Sequence, residues 1–250
     1  TELTGNCDSL EKDENGNYII KGIYYAGGTS FTVTPVLETP IGRSVKLNGS
    51  DYISFEGQRI DLMASYTLEG WFKTVSTEDQ TIFAGVDPET DENQLEVSMS
   101  NGLVTATYFG SSTQSDTTYN DNLWTHWAVA KDEESFSLYL NAEFVGSVSV
   151  LDSPTDLSSL VMGRKSTEAD SVYYIGLLDE IRMWDYARNQ DQIGGTKNQV
   201  LNGDEFGLVQ YWKINDGIGT LITNTVSNVT GTLEGNIEWK RDIPLNEYFS

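Results

Sequence analysis

The chain has little of what many enzymes and metalloproteins require. Its 250 residues include one cysteine, Cys7, and one histidine, His126. No intrachain disulfide can form, and neither a cysteine-rich zinc site nor a two-histidine metal site is available. A catalytic triad could be built only on His126, which we interpret as a structural strand residue rather than a general base. These two counts exclude much of hydrolase and metalloenzyme chemistry.

Basic residues and long apolar runs are also scarce. Fifteen Lys and Arg face 38 Asp and Glu, which gives a formal net charge of -23. Such a charge repels phosphate backbones and anionic lipid surfaces, so nucleic acid is a poor candidate partner. No stretch of about 18 apolar residues predicts a membrane span. We therefore expect neither nucleic-acid binding nor membrane insertion.

What the chain does contain is a series of short alternating segments separated by Gly, Asn, Asp and Ser. This period of two predicts strands, and the pair Asn101–Gly102 between two such runs predicts a tight hairpin. The pair Asn141–Ala142 marks a second hairpin, and only residues 187–195 have a helical pattern, which the glycines end after about two turns. The sequence therefore predicts an all-β fold, a two-sheet antiparallel β-sandwich or jelly roll with one short helix.

The segment YIGLLDEIRMWDYAR, residues 174–188, contains an acid where a strand should be apolar. With a period of two, Asp179 falls on the same face as Leu177 and Ile181, and Glu180 falls on the opposite face. A buried carboxylate is costly unless it is paired, hydrogen-bonded or bound to a metal. Asp179 is therefore predicted to meet an Arg or Lys, a cap of backbone N–H groups, or a Ca²⁺ ion.

Aromatic residues are abundant, with 13 Tyr and 6 Trp. A ring beside polar side chains can stack on a sugar face while its neighbours bind hydroxyl groups. Tyr108 and Tyr119 flank a Ser- and Thr-rich loop, and Tyr173 and Tyr186 flank the acid-bearing strand. These four tyrosines are the predicted carbohydrate-binding residues, and the alternative for each is packing in the core or at a sheet edge.

Five segments, in order, resemble the LamG-like domains of the concanavalin A-like lectin/glucanase superfamily. The resemblance covers about residues 41–195, and a further block at 207–235 also looks like a segment of this family. It implies a concanavalin A-like sandwich over residues 41–250. Residues 1–40 lie outside the resemblance; we expect them to form strands packed on the edge of the sandwich, and the alternative is that they belong to a preceding domain. The five segments are LNGSDYISF (47–55), YTLEGWFKT (66–74), LWTHWAVAKD (123–132), LYLNAEFVGS (138–147) and GLLDEIRMWDYARN (176–189).

The resemblance also implies a site and a function. Asp179 matches an acid that contributes to a structural Ca²⁺ site in related domains, with Asn228 and Gly231 matching positions in the accompanying loop. That loop, NTVSNVTGT at 224–232, lacks the leading Asp of the family, so a charged ligand is lost. No Glu-x-Asp-x-x-Glu cluster of the catalytic members occurs.

We therefore expect a non-catalytic, carbohydrate-binding module of a secreted or bacterial surface protein. Its partner would be a glycan or a cell-surface protein, and the module would belong to a larger protein. The alternatives are a glycan-cleaving enzyme of the same fold, and an adhesion or spacer domain without a small ligand.

Overall fold

The protein divides into two units, Thr1–Thr39 and Pro40–Ser250. The computed structural model describes residues 9–12, 18–21, 42–61, 64–87, 93–150, 157–165 and 172–245. In the first unit, β1 (Ser9–Lys12) and β2 (Tyr18–Lys21) form an antiparallel pair. The packing of residues 1–40 on the sandwich edge stays a prediction. Within the described ranges, no helix has the length and apolar character needed to cross a membrane.

Among its described residues, the second unit contains two antiparallel sheets and one short helix, α1 (Gln190–Thr196), so the predicted fold class is confirmed. The strands are β3 (Ser44–Asn48), β4 (Tyr52–Asp61), β5 (Tyr66–Lys73), β6 (Gln80–Val86), β7 (Asn93–Ser100), β8 (Leu103–Tyr108), β9 (Ser111–Thr118), β10 (Thr125–Lys131), β11 (Ser135–Leu140), β12 (Glu143–Ser149), β13 (Leu157–Met162), β14 (Ile175–Trp184), β15 (Leu208–Trp212), β16 (Leu221–Ile222), β17 (Gly231–Glu234) and β18 (Glu238–Lys240). The first sheet has the strand order β12-β11-β10-β5-β14-β3-β18, with β15 paired to β14, and the second has the order β16-β17-β4-β13-β6-β7-β8-β9.

The main core lies between the sheets and takes alternate residues from the strands of both. Trp127 of β10 in the first sheet stacks on Phe83 of β6 in the second, with ring centroids 5.8 Å apart. Both side chains are fully buried, as are Phe72 and Val97 on other strands of this core. This is the packing that the period-two pattern predicts, with one face of each strand removed from water.

Both predicted hairpins are present. Asn101 and Gly102 have φ angles of 49° and 83° between β7 and β8, and Asn141 and Ala142 have φ angles of 52° and 69° between β11 and β12. Positive φ at both central residues is the requirement of a type I′ turn. The first turn places Asn101 at one end of the sandwich, where it contributes to the site described below.

The helix begins and ends later than predicted. Asn189 is its N-cap, and a capping box joins the Asn189 and Gln192 side chains to each other's backbone N–H groups. The helix therefore starts at Gln190 rather than 187. The glycines Gly194 and Gly195 do not end it, since it continues to Thr196.

Candidate functional site

A cleft of about 530 Å³ opens at one end of the second unit. Four separate segments form it: the β3–β4 turn, the β5–β6 loop, the β7–β8 turn and the residues that lead into β14. We call it the Tyr173 cleft, and its described lining residues are Gly49, Thr77, Glu78, Asp79, Asn101, Val172, Tyr173 and Ile175.

Buried side chains hold the floor of the cleft in place. Gln80 accepts a hydrogen bond at Oε1 from the backbone N–H of Ile175 (2.9 Å), and Thr74 Oγ1 donates to the Ile175 carbonyl (2.6 Å). Gln80 and Thr74 are 0% and 3% exposed. The backbone beside Tyr173 is thus fixed by the fold before any ligand arrives, which lowers the entropy cost of binding.

The rim of the cleft is polar. Thr77, Glu78, Asp79 and Asn101 are all exposed, and Tyr173 is half-buried. A hydrogen bond from the Asn101 backbone N–H to the Thr77 carbonyl (3.2 Å) joins the hairpin turn to the β5–β6 loop. One aromatic ring beside carboxylate, amide and hydroxyl groups is a combination that can bind a polyhydroxylated ring.

The prediction for Tyr108 is wrong. Its side chain is 2% exposed and stacks on Phe136 in the core, with ring centroids 5.1 Å apart. Its position in β8, with the buried Val104 and Ala106 on the same parity, makes it a core residue. Tyr119 is half-buried and packs against the core cluster, and burial followed by the charge of Asp116 raises its pKa. The structure therefore does not bring Tyr108 and Tyr119 together as an exposed pair.

Tyr186 lies on a different surface from the Tyr173 cleft. It is half-buried between Trp184 and Phe206, with centroid distances of 6.2 Å and 6.1 Å. Phe206 is 89% exposed, the largest exposed fraction among the large hydrophobic residues described. Trp184 and Tyr186 belong to a small cluster on the outer face of the first sheet, near the start of β5, where Thr67 Oγ1 donates to the Tyr186 carbonyl.

The predicted face of Asp179 is also wrong, because β14 contains a bulge. Asp179 pairs with Trp71 and Arg182 pairs with Glu69, so two residues of β14 oppose one residue of β5. The extra residue inverts the alternation: Ile181 lies in the core, whereas Asp179 shares the outer face with Trp71 and Arg182. Asp179 is 2% exposed, and its Oδ1 accepts a hydrogen bond from the Glu180 backbone N–H (2.9 Å). The backbone cap is therefore one of its observed partners.

The three predicted calcium ligands do not form one ligand shell. Asp179 lies on the outer face of the first sheet, whereas Gly231 belongs to β17 of the second sheet and faces Phe55 in the core. Asn228 is exposed in the loop before β17. Among the described residues, no group of three or more His, Cys, Asp or Glu side chains is arranged to hold a metal. Calcium needs six to eight oxygen ligands, so this set does not fit the ion.

The outer face of the first sheet carries a buried network of charges that the sequence analysis missed. Glu69 is 0% exposed and accepts hydrogen bonds from Trp184 Nε1 (3.0 Å) and Arg188 Nη1 (3.0 and 3.1 Å). Glu180 Oε2 accepts from Arg182 Nη2 (2.7 Å) and from the Tyr211 hydroxyl. Burial raises the pKa of Tyr211, and the charge of Glu180 adds to it.

Hydrogen bonds from this network hold α1 and the residues after it against the first sheet. Arg188 Nη2 donates to the Gln192 carbonyl and to Thr196 Oγ1, and Arg182 donates to the carbonyls of Thr196 and Gln199. The two arginines thus join the sheet to α1 and the residues after it. His126 lies under the same cover, fully buried, with its ring at the edge of Trp71. The side chains of the network and His126 are at most 3% exposed, as expected of groups that stabilise the fold.

Comparison with known proteins agrees with this fold. The family model Laminin_G_3, described as concanavalin A-like lectin/glucanases superfamily, matches residues 47–194, more than half of the chain. No curated protein matches the sequence. Among solved structures, the chain resembles a candidate carbohydrate binding protein from Bacteroides ovatus ATCC 8483, with 17% identity and a TM-score of 0.64. The match covers 89% of this chain and 66% of that protein, slightly less than two thirds of its length.

Two further structures share the fold. A native heptameric SAP-like pentraxin from Limulus polyphemus is 12% identical, with a TM-score of 0.59 over 80% of this chain and 95% of the pentraxin. The CBM40 domain of the Ruminococcus gnavus IT-sialidase is 12% identical, with a TM-score of 0.50 over 64% of this chain and 100% of the domain. At these identities, the likeness establishes the architecture.

Proposed function

Since this chain belongs to the Laminin_G_3 family of the concanavalin A-like lectin/glucanase superfamily, we propose that it is a non-catalytic carbohydrate-binding module that binds its sugar in the Tyr173 cleft. One observation carries the proposal: the cleft combines an aromatic ring, Tyr173, with exposed polar side chains on a fixed backbone. Its volume of about 530 Å³ is within the range of small-molecule sites.

The chemistry of a pyranose ring matches these groups. Its C–H face is apolar and can lie on the Tyr173 ring, while its hydroxyl groups project outward. Glu78 and Asp79 can accept hydrogen bonds from hydroxyls, and the Asn101 amide can both donate and accept. The similar structures named as a candidate carbohydrate binding protein and as a CBM40 domain support the same class of ligand.

A binding role is favoured over catalysis by where the titratable groups lie. On the outer face of the first sheet, the described acid and base side chains Glu69, Asp179, Glu180 and His126 are at most 3% exposed. General acid–base catalysis requires contact with the substrate. We further propose that the module acts outside the cell, which its strongly acidic surface supports through solubility.

Replacing Tyr173 by alanine is expected to weaken binding of neutral oligosaccharides at least tenfold. The change removes the stacking surface, and an aromatic contact is worth about 0.5–1.5 kcal/mol beyond the apolar area that it buries. Tyr173→Phe keeps the ring and should retain most of the affinity. The measurement is a glycan array followed by isothermal titration calorimetry, with the melting temperature of each variant recorded.

Phe206→Ala is the matched control, because it removes an exposed ring from the surface around Tyr186. Unchanged affinity in Tyr173→Ala together with loss in Phe206→Ala would move the site to that surface. Release of reducing ends from bound glycans would make the protein an enzyme instead. If no glycan binds, the adhesion or spacer function replaces the proposal.

A further inference from the structure

We infer that the Tyr173 cleft selects its sugar by charge: it prefers amino-bearing glycans over neutral ones, and neutral glycans over those that carry carboxylate or sulfate groups. The inference rests on the proposed function, since it assigns a ligand class to the same cleft. It is carried by the two acids on the cleft rim and by the lack of a basic side chain among the described lining residues.

The two charged side chains among the described lining residues are both acids. Glu78 and Asp79 are adjacent, exposed and located on the β5–β6 loop. Within the described part of the chain, neither carboxylate makes a hydrogen bond or an ion pair; the backbone N–H of Glu78 donates to Ser76 Oγ (3.1 Å). Both carboxylates are therefore available to a ligand in the cleft.

The basic residues close to Tyr173 in the fold are not among the described residues that line the cleft. Arg164 forms an isolated antiparallel bridge with Tyr173, and its guanidinium lies over the ring of Tyr52, 3.8 Å from the centroid. That contact is a cation–π interaction, so this guanidinium has an aromatic partner outside the described lining. The next residue, Lys165, donates its backbone N–H to the Val172 carbonyl, and neither basic side chain is among the described lining residues.

The electrostatic effect is large enough to measure. An ammonium group about 5 Å from one carboxylate in water gains roughly fourfold in affinity, so two carboxylates give about tenfold or more at low ionic strength. A carboxylate or sulfate on the sugar meets repulsion of similar size. The formal net charge of -23 acts in the same direction at longer range, and salt screens both effects.

The test uses matched triplets of gluco- and galacto-configured oligosaccharides that differ at one position by an amino, an N-acetylamino or a carboxylate group. Binding to the intact chain is measured on an array and by calorimetry at 20 mM and 300 mM NaCl. We expect affinity to fall in the order amino, N-acetylamino, carboxylate, with about tenfold between successive members at low salt. The differences in affinity among the three ligands should become smaller at 300 mM NaCl.

The double variant Glu78→Gln, Asp79→Asn keeps the size and polarity of both side chains. It should reduce the ratio of amino-ligand affinity to carboxylate-ligand affinity at least tenfold. The control Glu133→Gln, Glu134→Gln makes the same change of net charge on exposed residues at the β10–β11 turn. That turn lies beside the start of β5, whereas the cleft follows its end, so the eight-residue strand separates them by roughly 25 Å.

Equal ratios in the wild type and in the cleft variant, or an equal loss in the control variant, would overturn charge selection by the cleft. In that case, neutral sugars that still bind through Tyr173 would leave the proposed function standing. Absence of binding to every triplet would overturn both.

Discussion

Replacing Glu69 by alanine is expected to lower the free energy of unfolding by about 3–5 kcal/mol. The carboxylate is fully buried and accepts hydrogen bonds from Trp184 Nε1 and Arg188 Nη1, while Arg182 Nη1 lies 3.7 Å from its Oε1. Its removal leaves buried positive charge without its main counter-ion. Urea denaturation should show a lower midpoint with an unchanged slope.

Two variants calibrate this result. Glu69→Gln keeps an acceptor for Trp184 but removes the charge, so its free energy of unfolding should lie between those of the wild type and of Glu69→Ala. Glu133→Ala removes an exposed acid at the β10–β11 turn and should change stability by about 0.5 kcal/mol or less. Because Arg188 also binds Gln192 and Thr196, hydrogen exchange in α1 should rise in Glu69→Ala. If Glu69→Ala lowered the free energy of unfolding by less than about 1 kcal/mol, Arg182 and Arg188 would have to find other partners in the variant.

Most strands and both hairpin turns could be predicted because their signals are local, whereas the Ser- and Thr-rich segment predicted as a loop is strand β9. Period-two alternation reports which face is buried, and the Asn101–Gly102 pair favours the backbone that its turn requires. The same alternation places Tyr108 with Val104 and Ala106 on the buried parity of β8. That signal was sufficient to assign Tyr108 to the core, so the error in its prediction was avoidable.

The position of Asp179 could not be predicted in the same way. A bulge arises from the pairing of two strands, and here two residues of β14 oppose Gly70 of β5, which is more than 100 positions away in the sequence. Glu180 adopts a φ of 54° at this point, although positive φ is uncommon for a glutamate. A strict period of two therefore assigned the acid to the wrong face, and the network around Glu69 escaped notice with it.

The residues of the Tyr173 cleft could be predicted from the sequence only in part. The sequence predicts Tyr173 as a carbohydrate-binding residue from its position beside the acid-bearing strand, and this stays a prediction; the polar residues that share its cleft were not predicted. Glu78 and Asp79 come from the β5–β6 loop and Asn101 from the β7–β8 turn, so only the folded chain brings them to one rim. Loop residues are also where binding groups concentrate, because the scaffold beneath them is rigid.

The buried histidine gives the fold a predictable response to acid. His126 is the only histidine in the chain, and neither ring nitrogen has a hydrogen-bond partner in the described structure. Burial is the largest cause that holds its pKa well below the ordinary value of 6.5. The positive charges of Arg182, Lys197 and Arg188 act in the same direction. Glu69 opposes them, but its Oε2 is 3.9 Å from Nε2, and burial together with the three cations outweighs this attraction.

The sign of the pH dependence follows from this direction. Below about pH 6.5 the unfolded chain gains a proton on His126 that the folded chain does not take up. The free energy of unfolding therefore decreases as the pH is lowered. The loss begins near the unfolded pKa and continues until the folded pKa is reached, at up to about 1.4 kcal/mol per pH unit. Between pH 7.5 and 5.5 the wild type should therefore lose stability through this one side chain.

His126→Leu should abolish that loss and keep stability at pH 7.5 within about 1.5 kcal/mol of the wild type. Leucine has a similar volume, and it replaces a ring whose nitrogens lack hydrogen-bond partners in the described structure. The measurement is the difference between the unfolding free energies of the two proteins at half-unit intervals from pH 7.5 to 5.5. Taking this difference cancels the pH dependence that the carboxylates and the chain termini contribute to both proteins. Because no other histidine is present, any curvature in this difference belongs to His126. Parallel curves would mean that His126 is protonated as readily in the folded chain as in the unfolded one, and that Glu69 compensates its charge after all.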